Sequence, residues 1–189
     1  MCHALLQDLN FFRLLLRIDQ EVAVQQRVGG CACGGVLHVD DYPRKPRGCP
    51  PELRADFSSR FSFCCNRCRT RATPPSVRFL GRRVYVALAV VLMSDRHCAP
   101  TPAAGRAAAL FEVPLRTLQR WRQWWQERLP ASAFWQAASA RFVPPVPVGA
   151  MPGALLERFV GPAAESLLRM LVFLSPLTLT LFTLGDGGC

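Results

Sequence analysis

We predict a mainly α-helical protein with one small β region from three observations on the 189 residues. Apolar residues recur at helical spacing near the N-terminus, in the middle of the chain and in its last quarter. Two short segments with strand-like composition lie beside two groups of closely spaced cysteines. Half of the residues are apolar, which excludes a disordered chain of low hydrophobicity.

The first segment, residues 1–29, is predicted to contain an amphipathic helix over residues 3–20. Its apolar stripe consists of Leu5, Leu9, Phe12 and Leu16, and we expect it to pack on the rest of the chain or on a second copy. The longest apolar run, residues 171–184, has about 14 residues, whereas a membrane-spanning helix needs roughly 20. No basic segment precedes the N-terminal apolar residues, so we expect neither a secretion signal nor a membrane partner.

Nine cysteines are the strongest local signal in the sequence. Their odd number and the absence of an export signal favour a reduced cytoplasmic compartment, where clustered cysteines usually bind metal. Residues 30–81 contain both clusters, "CACGG" and "FCCNRC", each next to a predicted strand ("GGVLHV" and "RFSFCC"). A strand, a cysteine-containing turn and a second strand form the pattern of a zinc ribbon. We therefore predict a Zn²⁺ site with four thiolate ligands: Cys31, Cys33, Cys65 and Cys68.

The first cysteine pair has one intervening residue, whereas zinc-binding turns normally have two. Two interpretations stay open at this point. Either a tighter first turn binds the metal, in which case Cys64 or His38 is available to shift into the ligand set, or this chain binds zinc poorly. Glycines 34 and 35 follow the first pair, and they favour the first interpretation because glycine tolerates the tight turn that brings amides towards sulfur.

Charge is concentrated in the middle of the chain. The net charge is +10, of which residues 42–83 contribute +9 and residues 106–128 contribute +3. A concentrated basic segment is typical of proteins with a polyanionic partner, most often nucleic acid. The residues predicted to hold phosphates are Arg44, Lys45, Arg47, Arg67, Arg69, Arg71, Arg78, Arg82 and Arg83.

We expect different conformations for two parts of this basic segment. Arg67, Arg69 and Arg71 alternate, so an extended strand would present them on one face. Arg44, Lys45 and Arg47 lie in a proline-rich stretch that either follows a phosphate backbone or forms a solvated loop.

Residues 82–130 are predicted to form three helices. The first, over residues 82–95, is apolar enough to be buried, and the second covers residues 106–111. Val113 and Pro114 mark the start of the third, with Pro114 at its first helical position, where the missing N–H costs little. In the third helix Leu118, Trp121 and Trp125 form an inward stripe. Arg116, Arg120 and Gln123 lie on another face, and these residue types read guanine and adenine in the major groove.

The stretch "AAALFEVPLRTLQRW" resembles the helix-turn-helix of bacterial regulators and transposases over about 23 residues. Glu112 departs from the pattern, since many members have glycine there. The cysteine pairs followed by the arginine-rich segment resemble the N-terminal part of zinc-ribbon insertion-sequence transposases. "DYPRKPRG", "FSFCC" and "TPPSVRFLGRRVY" resemble short bacterial proteins encoded near mobile elements, over roughly residues 30–128. These resemblances imply end-binding of DNA and no catalysis. We therefore expect double-stranded DNA as the partner, with a transposase as a further candidate, and a nucleoid location.

The sequence also lacks the patterns of an enzyme. Strand transfer needs three carboxylates around two metal ions, and none of the few acidic residues lies in an alternating apolar strand. There is no phosphate-binding loop, no "HExxH" and no GxSxG. We expect a non-catalytic protein. The alternatives are an adaptor that docks a transposase or polymerase, a transcriptional regulator, and an RNA-binding protein; a homodimer is also open.

Residues 131–189 are predicted to form helices around a proline-rich linker, "VPPVPVGAMPG". A helix is expected in "ASAFWQAASARF". A later one, in "ALLERFVGPAAESLLRMLVFL", should be bent or divided by Pro162. The apolar tail to Leu184 has no assigned role.

Overall fold

The structure is a computed structural model that describes residues 2–44, 46, 48–80, 85–94 and 113–178. It is mainly helical with a small antiparallel sheet, as the sequence predicts. The predicted helix at residues 106–111 lies outside the described residues. A complete three-helix helix-turn-helix is therefore a prediction still.

The N-terminal segment consists of a 3₁₀ helix, Cys2–Gln7, and the longest helix, α1 (Leu9–Gly29). Asp8 separates the two because its carboxylate accepts hydrogen bonds from the backbone N–H groups of Asn10 (2.9 Å) and Phe11 (3.2 Å), which is an N-cap. The buried face of α1 is formed by Phe11, Phe12, Leu15, Asp19 and Ala23. Of the four residues in the predicted apolar stripe, Phe12 is fully buried as expected. The other three are only partly buried, although they pack against the core.

The cysteine-rich region contains a three-stranded antiparallel sheet in the order β1 (Leu37–Val39), β4 (Phe63–Cys65), β5 (Arg71–Ala72). Both predicted strands are present in it. A second hairpin pairs β2 (Tyr42–Pro43) with β3 (Ser59–Arg60), on either side of a 3₁₀ turn at Pro51–Leu53. A third pairs β6 (Phe79–Leu80) with β7 (Tyr85–Val86).

The helix predicted over residues 82–95 is shorter than expected. Tyr85–Val86 is a strand, and α2 covers only Ala87–Ser94. The residues from Val86 to Leu92 are all buried, which confirms the predicted environment. A β-branched and aromatic pair can complete a hairpin as readily as begin a helix, so the apolar run alone did not fix the boundary.

The third predicted helix is α3 (Leu115–Gln123), and it continues as one turn of π-helix, Trp124–Arg128. The C-terminal part contains α4 (Ala133–Ala138) with a 3₁₀ extension, Ser139–Arg141, a 3₁₀ turn at Val148–Ala150, α5 (Gly153–Leu156), α6 (Ala163–Leu174) and a last 3₁₀ helix, Ser175–Thr178. Pro162 is the N-cap residue of α6 and divides this region as predicted. Val146 and Met151 are buried, so the proline-rich stretch packs on the core rather than acting as a free linker.

One large apolar core draws residues from the N-terminal segment, α2, α3 and the C-terminal helices. A separate small cluster consists of Ala23 of α1 with Leu37, Phe63 and Cys65 of the sheet. Helix α1 therefore connects the cysteine-rich sheet to the main core. Within the described ranges, no helix has both the length and the apolarity needed to cross a bilayer.

Candidate metal centre and nucleic-acid interface

The four predicted cysteines lie together at the edge of the three-stranded sheet. The Sγ atoms of Cys31 and Cys68 are 3.5 Å apart, as are those of Cys33 and Cys65, and all four sulfur atoms lie within 4.8 Å of one another. Four thiolates arranged tetrahedrally around Zn²⁺ have sulfur atoms about 3.8 Å apart, because each Zn–S bond is about 2.3 Å long. The cluster is therefore compatible with a metal site.

The first cysteine turn is tight, with a single residue between its two cysteines. The N–H of Gly34 donates to the carbonyl of Cys31 (2.8 Å), and the N–H of Cys31 donates to the carbonyl of Gly35 (3.1 Å). Gly34 has a φ of +76°, which glycine adopts without strain. A Cβ on Gly35 would lie 2.5 Å from the sulfur of Cys65, so this position admits only glycine without a local shift.

The second turn runs from Cys65 to Thr70 and has the usual two residues between its ligands. The N–H of Arg67 donates to the Cys65 sulfur (3.4 Å), and the N–H of Arg69 donates to the Cys65 carbonyl (3.2 Å). Asn66 joins the two turns, because its side-chain oxygen accepts from the N–H of Val36 (2.9 Å) and its own N–H donates to the carbonyl of Val36 (3.0 Å).

Hydrogen bonds shift the pKa values of the clustered thiols in opposite directions. The side-chain and backbone hydrogen bonds of Thr70 lower the pKa of the Cys68 thiol to about 6, and the backbone N–H of Cys68 lowers the pKa of Cys65. At Cys31 the backbone of Cys33 acts to lower the pKa, but hydrogen bonds with the neighbouring thiols raise it to about 12. At neutral pH and without an ion, the Cys31 thiol thus retains its proton whereas Cys68 is largely a thiolate, and a divalent cation would displace the proton of Cys31.

The two alternative ligands are not brought into this cluster. His38 pairs with Cys64 in the β1–β4 register, while Leu37 pairs with Cys65. Because side chains alternate along a strand, Cys64 and His38 point away from the face that carries Cys65. Cys49 is also apart from the cluster; it is buried, and burial raises the pKa of its thiol to about 12.

The alternating arginines do not form the expected row. The second cysteine turn occupies residues 65–70, and Arg69 has a φ of +57°, so only Arg71 lies on a strand. Arg67 and Arg69 are exposed beside the cysteine cluster, and Arg67 donates to the carbonyl of Cys33 (3.1 Å). Arg71 instead forms an ion pair with Asp40 (2.5 Å) and lies 4.3 Å from the ring centroid of Tyr42.

Arg78 must be removed from the set predicted to hold phosphates. Its side chain is fully buried, its Nε donates to the carboxylate of Asp19 (2.8 Å), and its Nη1 donates to the carbonyl of Asp56 (2.7 Å). Phe57, Phe61 and Phe79 surround the guanidinium. This arginine ties the chain after the sheet to α1, and no phosphate reaches it from solvent.

Helix α3 separates its apolar and polar residues as predicted. Leu118, Trp121 and Trp125 are buried, whereas Arg116, Arg120 and Gln123 are exposed. The structure adds Gln119, which lines a shallow concavity with these three residues. Sequence reasoning missed Gln119 although it lies three residues after Arg116 and four before Gln123, the spacing of one helical face. Gln123 also donates to the carboxylate of Glu127 (2.9 Å).

Of the other residues predicted to hold phosphates, one is described by the structure and four are not. Arg44 is half-buried and lies 5.0 Å from the ring centroid of Tyr42. Lys45, Arg47, Arg82 and Arg83 lie outside the described residues. Arg60, which sequence reasoning did not select, is fully buried in β3.

A comparison of the chain with protein-family models, with curated proteins and with solved structures finds no match in any of the three.

Proposed function

We propose that this protein is a non-catalytic DNA-binding protein associated with a mobile element, as a transposase-like protein or an accessory to a transposase. The observation that carries this proposal is the exposed face of α3, which presents Arg116, Gln119, Arg120 and Gln123 on the side opposite its buried tryptophans. Arginine and glutamine are the residues whose side chains make two-point contacts with guanine and adenine.

The dimensions of this face suit a short segment of major groove. From residue 116 to residue 123 a helix rises about 10 Å, which matches roughly three base pairs. Trp121 and Trp125 fix the opposite side of the helix in the core, so the polar side chains are presented from a rigid element. Glu127 restrains the amide of Gln123 and favours one orientation of it towards a base.

The cysteine cluster completes the proposal as a structural Zn²⁺ site. Four protein ligands close the tetrahedron and leave no position for a substrate, which is typical of structural rather than catalytic zinc. The ion would hold a sheet whose own apolar cluster is very small, and it would fix the exposed Arg67 and Arg69 next to the sugar-phosphate backbone. Freshly purified protein is expected to contain about one zinc per chain.

The deciding experiment is a titration of duplex DNA binding against salt. We expect the association constant to fall as salt rises, with a slope that corresponds to roughly 5–8 phosphates. Arg120→Ala should relax base preference by roughly 1–3 kcal/mol, while Arg141→Ala, an exposed arginine outside α3, should leave the preference unchanged. If the protein does not bind duplex DNA at low salt, the proposal is wrong. If Arg120→Ala has the same base preference as the wild type, α3 does not contact the bases.

A second candidate, a protein-interaction adaptor, is favoured by a different surface. Phe142, Phe159 and Phe173 have ring centroids within 6.2 Å of one another and are only partly buried. The exposed Val143, Val160 and Val172 lie next to them in sequence. Exposed apolar side chains beside a partly buried aromatic cluster are typical of surfaces that contact other proteins. This function would be supported if the wild-type protein does not bind duplex DNA but binds a transposase, and if Val160→Asp weakens that binding.

A further inference from the structure

Among the residues that the structure describes, the buried charges do not balance. Three charged side chains in those ranges are almost completely buried: Asp19 (3% exposed), Arg60 (1%) and Arg78 (0%). The carboxylate of Asp19 is already engaged, because it accepts from Arg78 (2.8 Å), from the hydroxyl of Ser76 (2.5 Å) and from the N–H of Val77 (2.8 Å). This set carries one excess positive charge, which belongs to Arg60.

Arg60 has a single hydrogen bond within the described structure. Its Nη2 donates to the carbonyl of Pro74 (2.9 Å), while its Nε and Nη1 are buried and have no partner. A buried charge without a counter-charge costs several kcal/mol, and each unsatisfied donor adds a desolvation penalty. Burial lowers the pKa of Arg60 to about 10, and the positive charge of Arg44 acts in the same direction.

Arg44 lies on the opposite strand side of the same β2–β3 hairpin and also has a buried donor without a hydrogen-bond partner. Its backbone N–H donates to the carbonyl of Ser58 (2.5 Å), two residues before Arg60, and its Nη1 donates to the carbonyl of Pro43 (2.9 Å). The Nε of Arg44 is buried without a partner. Tyr42 pairs with Arg60 in the β2–β3 register, and Arg44 lies two residues after Tyr42, so the side chains of Arg44 and Arg60 are on the same face of the hairpin. The charge of Arg44 lowers the pKa of Arg60, and neither guanidinium has a carboxylate partner among the residues that the structure describes.

We propose that Arg44 and Arg60 bind one oxyanion of the phosphate type. A tetrahedral oxyanion accepts several hydrogen bonds at once and supplies the missing negative charge, and guanidinium groups suit such anions because their donors are fixed in a plane. Arg44 is only half-buried, so an anion arriving from solvent meets it first. The inference deepens the proposed function: the anion is a phosphodiester group of bound nucleic acid or a free phosphate.

The test is thermal unfolding in sodium phosphate and in sodium chloride of equal ionic strength. Phosphate at about thirty times its Kd should raise the Tm of the wild-type chain by roughly 4–8 °C. Arg60→Met should lose this phosphate-specific shift, and its Tm in chloride should be equal to or above that of the wild type because an uncompensated charge is gone. The matched control is Arg13→Met, an exposed arginine of α1, which should keep the whole shift.

Arg44→Met serves as a second variant, since its half-buried side chain is easier to replace, and it should lose most of the shift. A wild-type Tm that is equal in the two salts, or a full shift in either Arg44→Met or a folded Arg60→Met, would overturn the site.

Measuring duplex binding by the same variants distinguishes a phosphodiester group from free phosphate. It also tests the anion site separately from the proposed DNA-binding function. If Arg60→Met loses both the phosphate shift and several-fold in duplex affinity, the anion is a phosphodiester. If the shift is lost while duplex binding is unchanged, or if the wild type binds no duplex, the site takes a free phosphate and stands independently of DNA binding. In Arg120→Met, the phosphate shift should persist although base preference declines.

Discussion

Gly35 is the residue on which the metal centre depends most directly after the cysteines themselves. A side chain there would meet the sulfur of Cys65 at 2.5 Å and the Cβ of Arg67 at 2.9 Å. Both atoms belong to the second cysteine turn, so relieving the contact would separate the two turns. Metal affinity is sensitive to such shifts, because ligand distances must hold within about 0.2 Å.

Gly35→Ala is therefore predicted to lower zinc affinity by tenfold or more, with a matching loss of bound zinc after gel filtration. Gly149→Ala is the matched control, since a Cβ there has no atom within 4 Å. Zinc content measured by elemental analysis checks both variants. Equal zinc in Gly35→Ala and wild type would show that the two turns do not have to approach this closely.

Individual arginines show where sequence reasoning ends at the residue scale. The four-cysteine cluster was predictable because two closely spaced cysteine pairs lie beside strands, and all four residues lie together although the first pair has an unusual spacing. Arg78 was assigned to the surface with its neighbours, yet it is buried against Asp19, which lies 59 residues earlier in the chain. The charge pattern of the sequence shows that the arginines are clustered. It does not show that Arg78 is buried, because that burial depends on Asp19, which is distant in the sequence.

Helix α1 is the element that sequence periodicity described least completely. The apolar stripe predicts one helix over residues 3–20, but the chain forms a 3₁₀ helix up to Gln7 and then α1 from Leu9 to Gly29. The division falls at Asp8, a residue type that prefers helix N-termini to helix interiors because its carboxylate bonds nearby N–H groups. The cap could have been found from residue preferences, which periodicity alone does not include.

The same cap gives a prediction for the stability of the element. Asp8→Ala removes the acceptor for the N–H groups of Asn10 and Phe11, and it should lower the free energy of unfolding by about 1 kcal/mol. Asp8→Asn keeps a capping oxygen and should cost much less. Urea unfolding followed by circular dichroism measures both; similar losses in the two variants would show that the charge, and not the cap, matters here.

Helix α3 and the β1–β4 pair were predictable as elements because each has a strong local signal. Leu118, Trp121 and Trp125 have the spacing of a buried stripe, and all three are buried. The β2–β3 and β6–β7 hairpins were not predicted, since their strands are two residues long and too short for alternation to be visible. Their positions depend on contacts with the main core, which the sequence does not display.

At the scale of the whole molecule, the two apolar clusters differ greatly in size. The main core extends from Leu6 to Leu177 and joins the N-terminal segment to the C-terminal helices. In the described part of the chain, the cluster beside the cysteines contains four buried residues, Ala23, Leu37, Phe63 and Cys65. So small a cluster supplies little hydrophobic stabilisation, and a small region of this kind usually needs a metal to stay folded.

Metal removal is consequently predicted to unfold the three-stranded sheet and leave the main core intact. After chelation, hydrogen exchange should become fast at Leu37 and Cys65, whose amides lie in or beside the β1–β4 ladder, and stay slow at Met170 and Leu171, which are buried in the main core. Far-ultraviolet circular dichroism should change little, because the cysteine-rich region contains few helical residues. Simultaneous loss of protection in α6 would show instead that the metal centre and the helical core unfold as one unit, through their shared contact with α1.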